Sequence, residues 1–138
     1  MDYRIVAQVS DVETYARRRA LVGLSRRSRE GMAKGLHNSP HAVLAMNELG
    51  PVGMGRIIGD GGTAYQITDI AVDPDHQGKG WERRSWRRLS RGSIGMAPHK
   101  AYVSLIADGD TRHLYAKFGF APVMPGSIGM ARVMEKTR

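Results

Sequence analysis

The residues from Ile70 to Gly80, Ile-Ala-Val-Asp-Pro-Asp-His-Gln-Gly-Lys-Gly, combine types that can hold a phosphate group. Gly78 and Gly80 open backbone conformations that a Cβ disfavours, and Asp73-Pro74 ends the apolar run Ile70 to Val72. A helix starting after Gly80 would aim its unpaired N–H groups and the positive end of its dipole into the loop, making a diphosphate cradle. Neither common nucleotide fingerprint fits: Lys79 is followed by Gly80 rather than Ser or Thr, and Arg83 stands where a third glycine belongs. Other chemistries find no support. No metal site is expected of the five histidines, and neither Gly-Ser-Ile-Gly run is a nucleophile elbow. The absence of cysteine removes disulfides, thiolate zinc sites and a cysteine nucleophile together.

Such a cradle needs a strand to deliver it and a helix to leave it. At 138 residues the chain reads as one domain, residues 1–138, able to bury about two-thirds of its unfolded surface. Tyr3 to Val9 alternates as a half-buried strand does. Val12, Tyr15, Ala16, Ala20 and Leu21 recur at helical spacing behind a Ser10 or Asp11 cap, and a second helix runs from about Arg26 to Lys34, capped by Gly35. Arginines 17 to 19, 26, 27 and 29 read as a solvated helix face. Strands follow at His41 to Met46, Val52 to Ile58 and Tyr65 to Val72, the last feeding the loop. Ala101 to Ile106 is a further strand, Ala107 to Asp110 a turn and cap, Thr111 to Lys117 a short helix, and a last strand region runs from Phe118 through Val123 and Met130. The pattern is α+β with a mixed, mostly antiparallel sheet flanked by helices.

Gln77-Gly78-Lys79-Gly80 after Ala71-Val72-Asp73-Pro74 resembles the acyl-CoA loop of the GNAT N-acetyltransferase family, and Glu82 is its one departure. A second motif, Leu114-Tyr115-Ala116-Lys117-Phe118-Gly119-Phe120, is similar to the family's Leu-Tyr-x-Lys-x-Gly-Phe and lies in the correct order. The resemblance implies the GNAT acyl-CoA N-acyltransferase fold, acetyl-CoA as co-substrate, and transfer of an acetyl group to a primary amine. It implies that the pantetheine arm pairs with backbone at Ile70, Ala71 and Val72, where an N–H can face the thioester oxygen. Tyr115 matches the family's general acid: a phenol, of reference pKa about 10, can donate to a thiolate as it forms. Asp69 is a candidate general base, directly or through water, although a carboxylate on the solvated face of a strand is the commoner case. Where the family often has Asn, Asp108 stands.

The segment after the loop departs from what this fold needs. Residues 81–96 carry Arg83, Arg84, Arg87, Arg88 and Arg91 against the single acid Glu82, which is +4 of the net +8, with few apolar residues. Glu82 would repel a diphosphate in the first helical turn. The run can be encoded so that, read one base earlier, it spells an amphipathic helix, and the shifted second residue is glycine whatever codons serve Trp81 and Glu82. A compensated frameshift over about residues 81–96, in the gene or its recorded sequence, is one account. A basic segment that touches a polyanion is the other.

The expectation is therefore an N-acetyltransferase acting on a small-molecule or protein amine, in the cytoplasm, with a homodimer allowed and neither nucleic acid nor membrane expected as a partner. The alternative is a catalytically weak binding or regulatory protein of the same fold, whose segment 81–96 contacts a polyanion. The N-terminus lacks the layout of a signal peptide, and no apolar run approaches a membrane span.

Overall fold

The computed structural model describes residues 4–39, 41–78, 80–89, 91, 94–109 and 111–135, with 81, 82, 85 and 89 as backbone alone. Tyr3, Lys79 and Asp110, expected in the first strand, the phosphate loop and a helix cap, lie outside the described residues. The chain divides into two compact units, Met1–Leu105 and Ile106–Arg138.

In the first unit the order is β1 (Arg4–Val6), α1 (Val12–Leu21), α2 (Arg29–Gly35), β2 (His41–Asn47), β3 (Gly50–Gly59), β4 (Ala64–Val72), α3 (Trp81–Leu89) and β5 (Tyr102–Leu105). These strands form one sheet in sequence order, antiparallel from β1 to β4 and parallel between β4 and β5. Local chemistry sets the helix starts. The Asp11 carboxylate accepts from the Thr14 N–H at 2.7 Å, and the Ser28 hydroxyl from the Gly31 N–H at 2.9 Å, so α2 begins at its cap rather than at Arg26.

Tyr15 of α1, Met32 of α2 and Leu36 pack on Leu44, Met54 and Ala71, one face of the sheet. Alternation along β2 turns Val43 and Ala45, both buried, to the other face. His41 shares that face and has the Arg88 backbone and guanidinium beside it, so α3 covers this second layer. Trp86 supplies the anchor, 3% exposed in a helix otherwise rich in arginine. Arg83, Arg84, Arg87 and Arg88 are exposed.

Two expectations are corrected. Arg18 and Arg19 are buried, at 7% and 5% exposure, because both find acidic partners on β4 and just after it. In the second unit residues 121–135 form no strand and are exposed: Pro122 and Pro125 have no N–H to give a ladder, and Gly126 and Gly129 weaken what remains. Among the described residues no helix is long and apolar enough to cross a membrane.

Candidate active site

The last residues of β4 are where the sheet opens. β5 pairs β4 only from Ala64↔Tyr102 to Ile67↔Leu105, so among the described residues no strand continues along Thr68 to Val72 on that side. On the other side β3 stays paired, with two residues of β4, Asp69 and Ile70, opposite Gly55 alone. This is a bulge, and Asp69 takes a left-handed conformation in it, φ 57°. Beyond it the Asp73 N–H donates to the Val52 carbonyl of β3 at 2.9 Å. Alternation then turns the backbone of Val72, and of Ile70 two residues earlier, towards the open edge, while Ala71 faces β3.

The strand passes through a 3-10 turn at Pro74–His76 into the loop. Gln77 folds back so that its side-chain amide donates to the Val72 carbonyl at 3.1 Å. Gly78 and Gly80 have φ of 75° and 84°, and a Cβ built on either meets nothing within 4 Å. Their glycines are therefore required by backbone angle, not by crowding. The Gly80 carbonyl accepts from the Arg84 N–H at 3.4 Å, which begins α3 and leaves the first N–H groups of the helix without intrahelical acceptors. Open edge, left-handed glycines and helix start together fit an extended chain ending in a diphosphate. The position of Glu82 in the first turn opposes that fit.

Behind the opening, on the α1 face, lies a charged cluster that sequence reading missed. The Asp69 carboxylate, 8% exposed, accepts from the Tyr15 hydroxyl at 2.8 Å, from Arg56 Nε and Nη2 at 2.8 and 2.7 Å, and from Arg19 Nη1. Arg18, the preceding residue of α1, pairs with Asp73. The guanidinium carbons of Arg19 and Arg56 each lie 5.6 Å from the centre of the Tyr15 ring. Burial first, then the Asp69 charge and hydrogen bond, push the Tyr15 hydroxyl above its ordinary pKa despite the two cations. Asp69 is thus not on a solvated strand face. The cavity beside Ser10, Tyr15, Arg56 and Asp69 measures about 10 Å3, which is room for about one water and not for a substrate. A signal existed in part: Arg19 follows Tyr15 at helical spacing, and Arg56 interrupts an apolar strand, but neither names its acid.

Tyr115 belongs to the second unit, in α4 (Thr111–Ala116). The Asp108 carbonyl accepts from the Thr111 N–H and hydroxyl at 3.1 and 2.7 Å, starting the helix. The Tyr115 carbonyl then accepts from the N–H groups of Phe118 and Phe120, with Gly119 at φ 91° making the reversal. Phe120 meets the Tyr115 ring edge-on, centroids 6.1 Å apart. Burial first, and the Asp108 charge second, push the hydroxyl up to about 12. The structure thus brings Asp69, Ile70, Ala71, Val72, Gln77, Gly78 and Gly80 together in the first unit, and Tyr115 lies in the second.

Residues 38–122 match the family model of the acetyltransferase (GNAT) domain. A Staphylococcus aureus protein described as a probable acetyltransferase is 36% identical, covering 96% of this chain and 100% of its own, with a TM-score of 0.90. A GNAT-family acetyltransferase of Streptococcus pneumoniae is 20% identical over 98% of this chain and 100% of its own, TM-score 0.79. N-acetylglutamate synthase of Neisseria gonorrhoeae, solved with coenzyme A and N-acetylglutamate, shares the fold at 18% identity and TM-score 0.64 over 86% of this chain and 28% of its own. Among curated proteins none matches the chain.

Proposed function

Because the chain belongs to the GNAT family of acetyltransferases, we propose that it carries an acetyl group from acetyl-CoA to a primary amine by direct attack. The observation that carries this reading is the open β4 edge at Thr68 to Val72 running into the Gly78–Gly80 loop and the start of α3. Backbone at Ile70, Ala71 and Val72 receives the pantetheine arm, and Gln77, Gly78, Lys79 and Gly80 receive the diphosphate. The family match spans both units, which supports a single catalytic domain over 1–138.

The amine nitrogen forms its bond to the acetyl carbon as the carbon–sulfur bond breaks, and the sulfur leaves as a thiolate, for which the family motif assigns the Tyr115 hydroxyl as donor. With that hydroxyl pushed up to about 12, it stays protonated across the working range. Complete transfer to a thiolate whose acid has a pKa of about 8.5 is uphill, so the phenol acts chiefly as a hydrogen-bond donor while charge develops on sulfur. Holding the amine against the thioester supplies the larger share of the rate. Both oxygens of Asp69 are already engaged by cationic donors, and the proton shed by the amine passes to water. The acceptor is a small-molecule or exposed protein amine, and the protein acts in the cytoplasm as a monomer or homodimer.

A thiol-release assay with acetyl-CoA and a panel of amines tests this, with Tyr115→Phe as the control. CoA binding by calorimetry without release for any amine would favour the second reading, a binding protein of the same fold. The exposed Arg83, Arg84, Arg87 and Arg88 of α3 speak for that reading, and its mark is nucleic-acid affinity that falls steeply with salt.

A further inference from the structure

Two consecutive residues of α1 reach the two aspartates that bracket the open end of β4: Arg19 holds Asp69, and Arg18 holds Asp73. Only Ile70, Ala71 and Val72 lie between those aspartates. Asp69 takes a left-handed conformation that residues with a Cβ avoid, and glycine would adopt it at less cost. What Asp69 has and glycine lacks is a carboxylate for Tyr15, Arg19 and Arg56 to grip. Arg19 also donates through Nε to the Ser25 carbonyl at 2.8 Å, so the connection between α1 and α2 is tied to the same point. A bulge re-aims the backbone that follows it. Here it is fixed from the side chain, by groups buried on the α1 face of the sheet.

We infer that Tyr15, Arg18, Arg19 and Arg56 are positioning residues that act through Asp69 and Asp73. They set the direction of the Ile70–Val72 backbone, and with it the N–H that faces the thioester oxygen. None of them touches the reacting atoms. The inference rests on the acetyl-transfer reading for its catalytic consequence, whereas the grip itself is a set of contacts within the chain.

The test uses the full chain with Asp69→Ala, Asp69→Asn and Tyr15→Phe. Asparagine keeps an acceptor oxygen and tolerates the left-handed backbone, alanine does neither, and Tyr15→Phe removes one donor without changing shape. Amide hydrogen exchange at Ala71 and Asp73, whose N–H groups face β3, is expected to quicken at least about tenfold in Asp69→Ala and to be largely restored in Asp69→Asn. With a responding amine, kcat is expected to fall about 100-fold in Asp69→Ala and about threefold to tenfold in Tyr15→Phe, with the KM for acetyl-CoA little changed. Asp69→Asn should recover most of the lost kcat with the wild-type pH profile. Asparagine as damaging as alanine, with the acidic limb of the profile abolished, would mean that Asp69 is a base and overturn the inference. Unchanged exchange in Asp69→Ala would overturn it too. If Asp69→Ala does not fold, exchange in Tyr15→Phe and Asp69→Asn decides. Should the wild type transfer no acetyl group, the functional reading fails while the exchange data still judge the grip.

Discussion

The Gln77 side-chain amide donates to the Val72 carbonyl at 3.1 Å, joining the first residue of the glycine loop to the last residue of β4. One hydrogen bond of this kind contributes about 1 kcal/mol, close to a factor of five in an equilibrium constant. Gln77→Leu is therefore expected to weaken CoA binding about threefold to tenfold, measured by titration calorimetry, with thermal stability nearly unchanged. An unchanged Kd would show that the loop holds its shape without the tie.

Glu82 stands in the first turn of α3, where a carboxylate opposes the negative charge that the helix start attracts. Glu82→Gly is expected to tighten CoA binding by about twofold to fivefold, the effect of about 0.3–1 kcal/mol at a helix end. Equal affinities would refute the role given to this residue. The mass of the intact protein and resequencing across residues 81–96 belong with this measurement, since an in-frame run confirmed by both excludes a recording error.

If Tyr115 has the proposed role, Tyr115→Phe is expected to lower kcat about 100-fold with little change in KM, the effect of losing one hydrogen-bond donor to developing charge. A pH series gives a second check. The folded-state pKa of about 12 lies above the ordinary 10, so the stabilisation from keeping this phenol neutral is complete below about pH 10 and is lost as pH rises towards 12. The wild type should thus lose stability over that window faster than the phenylalanine variant in chemical denaturation.

Asp60 holds the turn between β3 and β4. Its carboxylate accepts from the N–H groups of Gly62, Thr63 and Ala64 and from the Thr63 hydroxyl, and these bonds hold its pKa well below the usual carboxylate range. A depressed pKa means stabilisation that is present above about pH 4 and is lost as pH falls through the folded-state value. Asp60→Ala is expected to lower Tm at neutral pH, with the difference from wild type shrinking in acid. A gap that stays constant down to pH 2 would contradict this.

The loop was legible because its chemistry is local. Gly78 and Gly80 need positive φ whatever the rest of the chain does, and Asp73-Pro74 ends a strand on its own. The order of strands and helices followed from periodicity in the same way. The clamp was not legible, because Arg19 meets Asp69 only after α1 is laid across the sheet, and an arginine on a helix face reads as solvated until its buried acid is known. Nor does the sequence name the Asp69–Ile70 bulge: the polar pair Thr68-Asp69 breaks the alternation of β4, but such a break reads equally well as the wet end of a strand. The final strand failed for a different reason. Val123 is a strand former, but Pro122 before it and Pro125, Gly126 and Gly129 after it leave too few donors and too little stiffness for a ladder.

The parallel pairing of β4 with β5 stops at Ile67↔Leu105, so among the described residues Thr68 to Val72 have a strand on the β3 side alone. In the proposed role the extended arm of acetyl-CoA lies along the other side of β4, so the co-substrate is also a structural member of the fold it visits. Its free concentration then sets the protein's resistance to unfolding through the logarithm of saturation, and each turnover briefly returns the chain to its less stable form. Supply of acetyl groups and lifetime of the protein become linked quantities.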